Sequence, residues 1–181
     1  MPRLVLTVIG DDRAGLVEAL SEVVTAHGGN WEDSQMAELA GKFAGVVVVS
    51  VPAEQSDALT DALRSLDGLL EVSAHPGAEV ARTTPDEEHE RLTIDLIGND
   101  HPGIVHDVSS SLARSGLSIE SMRTGSREAP MAGGLLFEAH VVVRIPPAVD
   151  VADVRAGLER LATELLVDIS VTEPERSNAG H

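Results

Sequence analysis

The stretch LVLTVIGDDRAGLVEALSEVVTAHGGNWED, residues 4–33, is met again as LTIDLIGNDHPGIVHDVSSSLARSGLSIES, residues 92–121. A shift of 88 residues aligns the two without a gap. Leu4/Leu92, Ile9/Ile97, Gly10/Gly98, Asp12/Asp100, Gly15/Gly103, Val17/Val105, Ser21/Ser109, Gly28/Gly116 and Glu32/Glu120 are identical. The alignment continues after six extra residues in the second copy, with FAGVVVVSVP (43–52) against FEAHVVVRIP (137–146). Two copies are too few for a solenoid, which needs at least about three repeats. The pattern reads as duplication of a complete domain.

Each copy has the order strand, helix, strand, strand, helix, strand. Leu4, Leu6 and Val8 alternate with Val5, Thr7 and Ile9, a period that predicts a first strand. Leu16, Val17, Leu20, Val23 and Val24 fall at helical spacing, and Gly28-Gly29 stops that helix. Residues 31–39 and 43–51 are expected as strands, with Pro52 ending the second. Leu59, Ala62, Leu63 and Leu66 mark a second helix, and residues 69–74 a closing strand. The matching elements of the second copy are expected at 92–97, 103–114, 118–125, 135–145, 151–164 and 166–171. This βαββαβ order predicts an α+β protein of two tandem ferredoxin-like domains, each an antiparallel sheet with both helices on one face. The domains are expected at 1–76 and 91–173. Pro76, Gly77, Pro85 and the acidic run Asp86-Glu87-Glu88 mark 77–90 as a linker, and 174–181 reads as a disordered tail.

Composition narrows the function. No cysteine is present, which excludes disulfides and thiolate metal sites and suits a cytoplasmic protein. The net charge of −17, with scattered Lys and Arg, argues against direct nucleic-acid binding and anionic lipid surfaces. No apolar run is long enough to span a bilayer, and the N-terminus lacks the form of a signal peptide.

The outer faces of the two sheets differ. In the second copy Leu135, Phe137, Ala139, Val141, Val143 and Ile145 point toward the helices. Glu138, His140, Arg144, Thr93 and Asp95 face outward. The first copy puts Ala44, Val46, Val48, Ser50, Val5 and Thr7 there, a more apolar set. One reading is that a second chain or a partner covers this face. The other is that valine serves strand propensity alone.

The turns G-D-D-R-A-G (10–15) and G-N-D-H-P-G (98–103) join the first strand of each copy to its first helix. A turn alone accounts for the residue types: Gly for tight backbone, Asp as helix cap, Pro102 in a first helical turn. The same chemistry suits a ligand. A helix start offers unpaired N–H groups to a carboxylate, and Asp12 or Asp100 offers charge to an ammonium group. Phosphate fits worse, because no Lys-Ser/Thr follows Gly15 or Gly103 and the carboxylates repel it.

A βαββαβ unit with a D-x-x-G or D-x-P-G turn after its first strand resembles the ACT domain, an amino-acid-sensing module of metabolic regulation. Two such units in about this length resemble the glycine cleavage system transcriptional repressor family, and I-G-N-D-H-P-G-I-V (97–105) is the most specific run. The resemblance implies units paired side by side, in a homo-oligomer, with ligands between the turn of one unit and the second strand of its neighbour. It points to Asp12, Arg13, Gly15 and Leu16, to Asp100, His101, Gly103 and Ile104, and to Asn30 and Ser118. The first copy departs from the pattern, with Arg13-Ala14 in place of His101-Pro102. The implied function is amino-acid sensing that modulates transcription of glycine cleavage metabolism through a protein partner, a separate DNA-binding activator. The alternatives are an interaction module that binds no ligand, or a regulatory subunit docked on a metabolic enzyme.

No catalytic residue, metal site or cofactor is expected. His101 and His106 lie five residues apart, off one helix face, and Ser109-Ser110-Ser111 lacks the G-x-S-x-G context of a nucleophile. The longer loop Arg127–Gly134 reads as a tolerated hairpin insertion, with a lid or partner contact as the alternative. For the apolar outer face of the first copy, a spin probe at Val46 or Val48 checks coverage. Restricted motion in the assembled protein is the expected result, and free motion removes the covered-face reading.

Overall fold

Alternation along the strands decides which side of each sheet is dry. In the computed structural model, which describes residues 1–77, 90–129 and 133–172, β1 spans Arg3–Asp11 and buries Leu4, Leu6 and Val8. The rest of the first unit is α1 (Leu16–Ala26), β2 (Asn30–Leu39), β3 (Lys42–Ser50), α2 (Ser56–Leu63) and β4 (Glu71–Pro76). The second repeats it as β5 (Glu90–Asn99), α3 (Ile104–Arg114), β6 (Ser118–Glu128), β7 (Leu135–Ile145), α4 (Val151–Leu165) and β8 (Val167–Thr172). The sheets have the orders β2-β3-β1-β4 and β6-β7-β5-β8, antiparallel throughout. The chain divides into compact units Met1–Thr84 and Pro85–His181. Each is the ferredoxin-like βαββαβ fold that the strand and helix periods predict.

The cores are separate and built alike. Leu6, Val47 and Val49 of the first sheet meet Leu20 and Val24 of α1 and Leu59 and Leu63 of α2. In the second unit Leu92, Ile94, Val141 and Val143 meet Val108 and Leu112 of α3 and Leu158 of α4. With so few aromatics the fill is Leu, Val and Ile. Each fully buried side chain of this kind contributes roughly 1.5–3 kcal/mol by leaving water.

The duplication reaches the irregular details. The pairing of β2 with β3 breaks between Trp31 and Asp33, and that of β6 with β7 between Ile119 and Ser121. The bulged residues are Glu32 and Glu120. A bulge re-aims its side chain, and here each carboxylate meets an arginine of the first strand. Arg3 Nε lies 2.6 Å from Glu32 Oε2, and Arg91 Nε 2.7 Å from Glu120 Oε2. Arg144 adds a second contact to Glu120 at 3.1 Å.

Several expectations need correction. The closing strand of the first unit starts at Glu71, not residue 69. The amides of Leu69 and Leu70 both donate to Leu66 O at 2.8 Å, in a turn that Gly68 allows with φ +88°. β6 continues past Gly125 to Glu128. Leu135 is 51% exposed at the mouth of its hairpin, not part of the inward face. Val17, at core spacing, is 45% exposed, and its counterpart Val105 is 42% exposed. Residues 78–89, most of the expected linker, lie outside the described residues, as do the tail from 173 and the loop tip 130–132.

Leu112, fully buried in the second core, gives a direct test. Leu112→Ala is expected to destabilise that unit by about 2–5 kcal/mol, read by chemical denaturation. A change within experimental error would contradict this packing.

Candidate functional site

Two glycines shape each strand-to-helix turn, for different reasons. A Cβ on Gly10 would stand 2.6 Å from Leu69 O, and one on Gly98 would collide with the Val167 side chain. The entry to the fourth strand therefore presses directly on the end of the first. Gly15 and Gly103 instead adopt left-handed backbone, φ +92° and +96°, which a side chain disfavours. These glycines are the N-caps of α1 and α3, and they offer no capping side chain.

The expectation that Asp12 or Asp100 caps its helix is therefore wrong. Each instead ties the turn down by its backbone amide, Asp12 N donating to Gly41 O at 3.0 Å and Asp100 N to Leu135 O at 2.8 Å. Pro102 precedes the cap and is not part of the first helical turn. With no side chain at the cap, the amides of Val105 and His106 find no acceptor among the described residues. They carry the partial positive charge of a helix start.

The side chains distinguish the copies. In the second, Asp100 Oδ2 accepts from Ser126 Oγ at 2.8 Å. That hydroxyl fixes the carboxylate without neutralising it, and Oδ1 is left open among the described residues. His101 Nδ1 lies 3.2 Å from Pro102 O. Asp100, His101, Pro102 and Leu135 line a shallow depression of about 420 Å³. In the first, Arg13 Nη2 donates to Gly68 O at 2.8 Å, binding the turn to the loop before β4. Lys42 pairs with Asp11, and that hydrogen bond, with the lysine charge, holds the Asp11 carboxyl below its usual range.

Asn30 and Ser118, expected beside a turn, are not near the turn of their own unit. Asn30 pairs with Ser50, which pairs with Arg3 at the start of β1, while the turn follows Asp11 opposite Lys42. Eight residue steps of strand, about 27 Å, separate the two ends. Ser118 opens β6 in the same way, opposite Arg144. Both strands are sheet edges. Leu16 and Ile104 are buried in their cores, so of these two only the backbone reaches a ligand.

Sequence reasoning missed Ser126 and Leu135. Hairpin register brings both to the turn, and no local motif announces either. Among the described residues no group of three or more His, Asp or Glu is placed to hold a metal ion, and no helix is long and apolar enough to cross a membrane.

Comparison with known proteins agrees with this architecture. The ACT domain family model matches residues 2–75. A solved protein of unknown role from Galdieria sulphuraria is 32% identical, covering 95% of this chain and 98% of that one at a TM-score of 0.82. The structure of a proposed glycine cleavage system transcriptional repressor is 18% identical, covering 95% and 96%, at a TM-score of 0.72; it shares the fold. A UPF0237 protein of Methanopyrus kandleri is 43% identical over 51 residues, 28% of this chain. That match spans 57% of the relative's own length.

The two glycine types predict different costs. Gly98→Ala meets packed atoms and is expected to lose about 1–3 kcal/mol, while Gly103→Ala, with open space around it, loses only the roughly 1–2 kcal/mol of left-handed backbone. Thermal or chemical unfolding reads both. Full stability in Gly98→Ala would contradict the close approach of β8.

Proposed function

We propose, on the premise that this chain belongs to the ACT domain family, its first unit by direct match and its second by repetition of the same fold, that it is a non-catalytic regulator which senses a free amino acid. The sensing site is the strand-to-helix turn of the second unit. One observation carries this reading: α3 starts uncapped shortly after Asp100, whose carboxylate is held by Ser126 and which lines an open depression. The amides of Val105 and His106 suit an α-carboxylate, and Asp100 suits the α-ammonium group. Gly103 matters because any capping side chain there would occupy the amides. His101 stands at the rim as a further donor.

The site is composite. Ser118 comes to it from a neighbouring unit across an edge strand, so the ligand and the assembly support each other. Signalling then runs through a protein partner. The fold shared with a proposed glycine cleavage system transcriptional repressor supports a role in transcription of amino-acid metabolism. A net charge of −17 favours contact with a DNA-binding protein over contact with DNA.

The first unit supports a second reading for itself, as a scaffold. Arg13, which a ligand would need free, is committed to Gly68 O, so Asp12, Gly15 and Leu16 there serve the turn.

Titration calorimetry of the whole protein with glycine, serine and other amino acids tests the proposal. At least one is expected to bind. Asp100→Asn is expected to weaken it about 10- to 100-fold, the worth of a charge-assisted hydrogen bond, and Asp12→Asn to leave it unchanged. Absence of heat from every amino acid, with folded protein, would remove the sensor and leave a duplicated interaction module.

A further inference from the structure

We propose that the outer sheet face of the second unit carries a separate site for a short zwitterionic peptide, built on the row Arg123–His140–Asp95–Ser170. The pairing register sets these four residues side by side, one from each of β6, β7, β5 and β8. The next row holds Gly125, Glu138, Ile97 and Asp168. Residues in register share a face, and this is the face without helices. A cleft of about 550 Å³ lies over the two rows, within the range of small-molecule sites. Gly125 opens it, since a Cβ there would have no neighbour within 4 Å.

Charges on this face are organised beyond what the fold requires. The corresponding row of the first unit is Gln35, Val46, Thr7 and Ser73, with no charge at all. In the second unit Arg91 and Arg144 hold Glu120, and Arg127 holds Glu138 at 2.6 Å. Arg123 holds no carboxylate among the described residues, although it is exposed and directly opposite His140. The imidazole is itself held in place, with Nδ1 2.6 Å from Asp95 Oδ1. A guanidinium without an anion forms a carboxylate subsite.

The opposite edge has the opposite sign. Asp168, on β8, is exposed, and its carboxylate has no hydrogen-bond or ion-pair partner among the described residues. Three strand spacings, about 14 Å, separate the backbones of the two edges. The charges of a free amino acid are adjacent and cannot reach both. An extended chain advances about 3.3–3.6 Å per residue, so two or three residues fill the gap that the Arg123 and Asp168 side chains leave. Ile97, half-buried in the second row, gives the peptide an apolar floor. Phosphate is disfavoured by Asp95 and Asp168 together. This site is independent of the turn at Asp100.

Amide NMR of the full chain, titrated with glycylglycine, tests the proposal. The Gly125 and Ser170 amides are expected to shift saturably. Arg123→Gln, a surface change whose fold the same spectrum verifies, is expected to weaken binding at least tenfold. Asp168→Asn is expected to weaken glycylglycine but not its N-acetyl form, and Asp100→Asn to leave both unchanged. Unmoved Gly125 and Ser170 amides, undiminished affinity in Arg123→Gln, or tighter binding of inorganic phosphate than of the dipeptide would each overturn it.

Discussion

The closeness of the fourth strand to the first sets the geometry of each unit. Leu69 O over Gly10, and Val167 over Gly98, leave no room for a side chain at the point where the strand must end. The chain then turns sharply and enters its helix through a left-handed glycine, Gly15 or Gly103. A helix begun this way has no capping side chain, and in α3 the amides of Val105 and His106 find no acceptor among the described residues. One glycine of each turn thus lets the fourth strand close against the first, and a second leaves the helix start without a capping side chain.

Duplication kept that backbone and changed what decorates it. Both copies retain the bulged glutamate held by an arginine, 2.6 Å in one and 2.7 Å in the other, which fixes the second strand to the first. Around the turns the copies diverge. Arg13 closes one turn onto the loop at Gly68, while Ser126 holds Asp100 at the edge of an open depression in the other. The outer faces diverge in the same sense. One carries Val46 and Ile9, 44% and 46% exposed. The other carries the Asp95–His140 pair and Arg123. Charged side chains on the outer face are thereby concentrated in the second unit.

Much of this was legible from residue spacing. The burial of Leu4, Leu6 and Val8 follows their alternation, and the helices end where Gly28 and Gly116 adopt positive φ. Where the reading erred, tertiary contact overrode local pattern. Leu69 and Leu70 look like strand residues, yet their amides are claimed by Leu66 O. Asp12 and Asp100 have the residue type of helix caps, but the glycines after them take that position. The turn itself was readable because its components are consecutive. Ser126 was not, since it reaches Asp100 across 26 residues through hairpin register. Of the row Arg123–His140–Asp95–Ser170, alternation already put His140 and Asp95 on the outer face, but not Arg123 and Ser170 beside them, because the row joins four strands and register is not written in any one of them.

Amide hydrogen exchange at the start of α3 addresses the central claim most directly. With a saturating amino acid present, exchange at Val105 and His106 is predicted to slow, while Val17 and Glu18 at the start of α1 stay as they were. Bound amino acid with Val105 and His106 exchanging as fast as in the free protein would contradict the account.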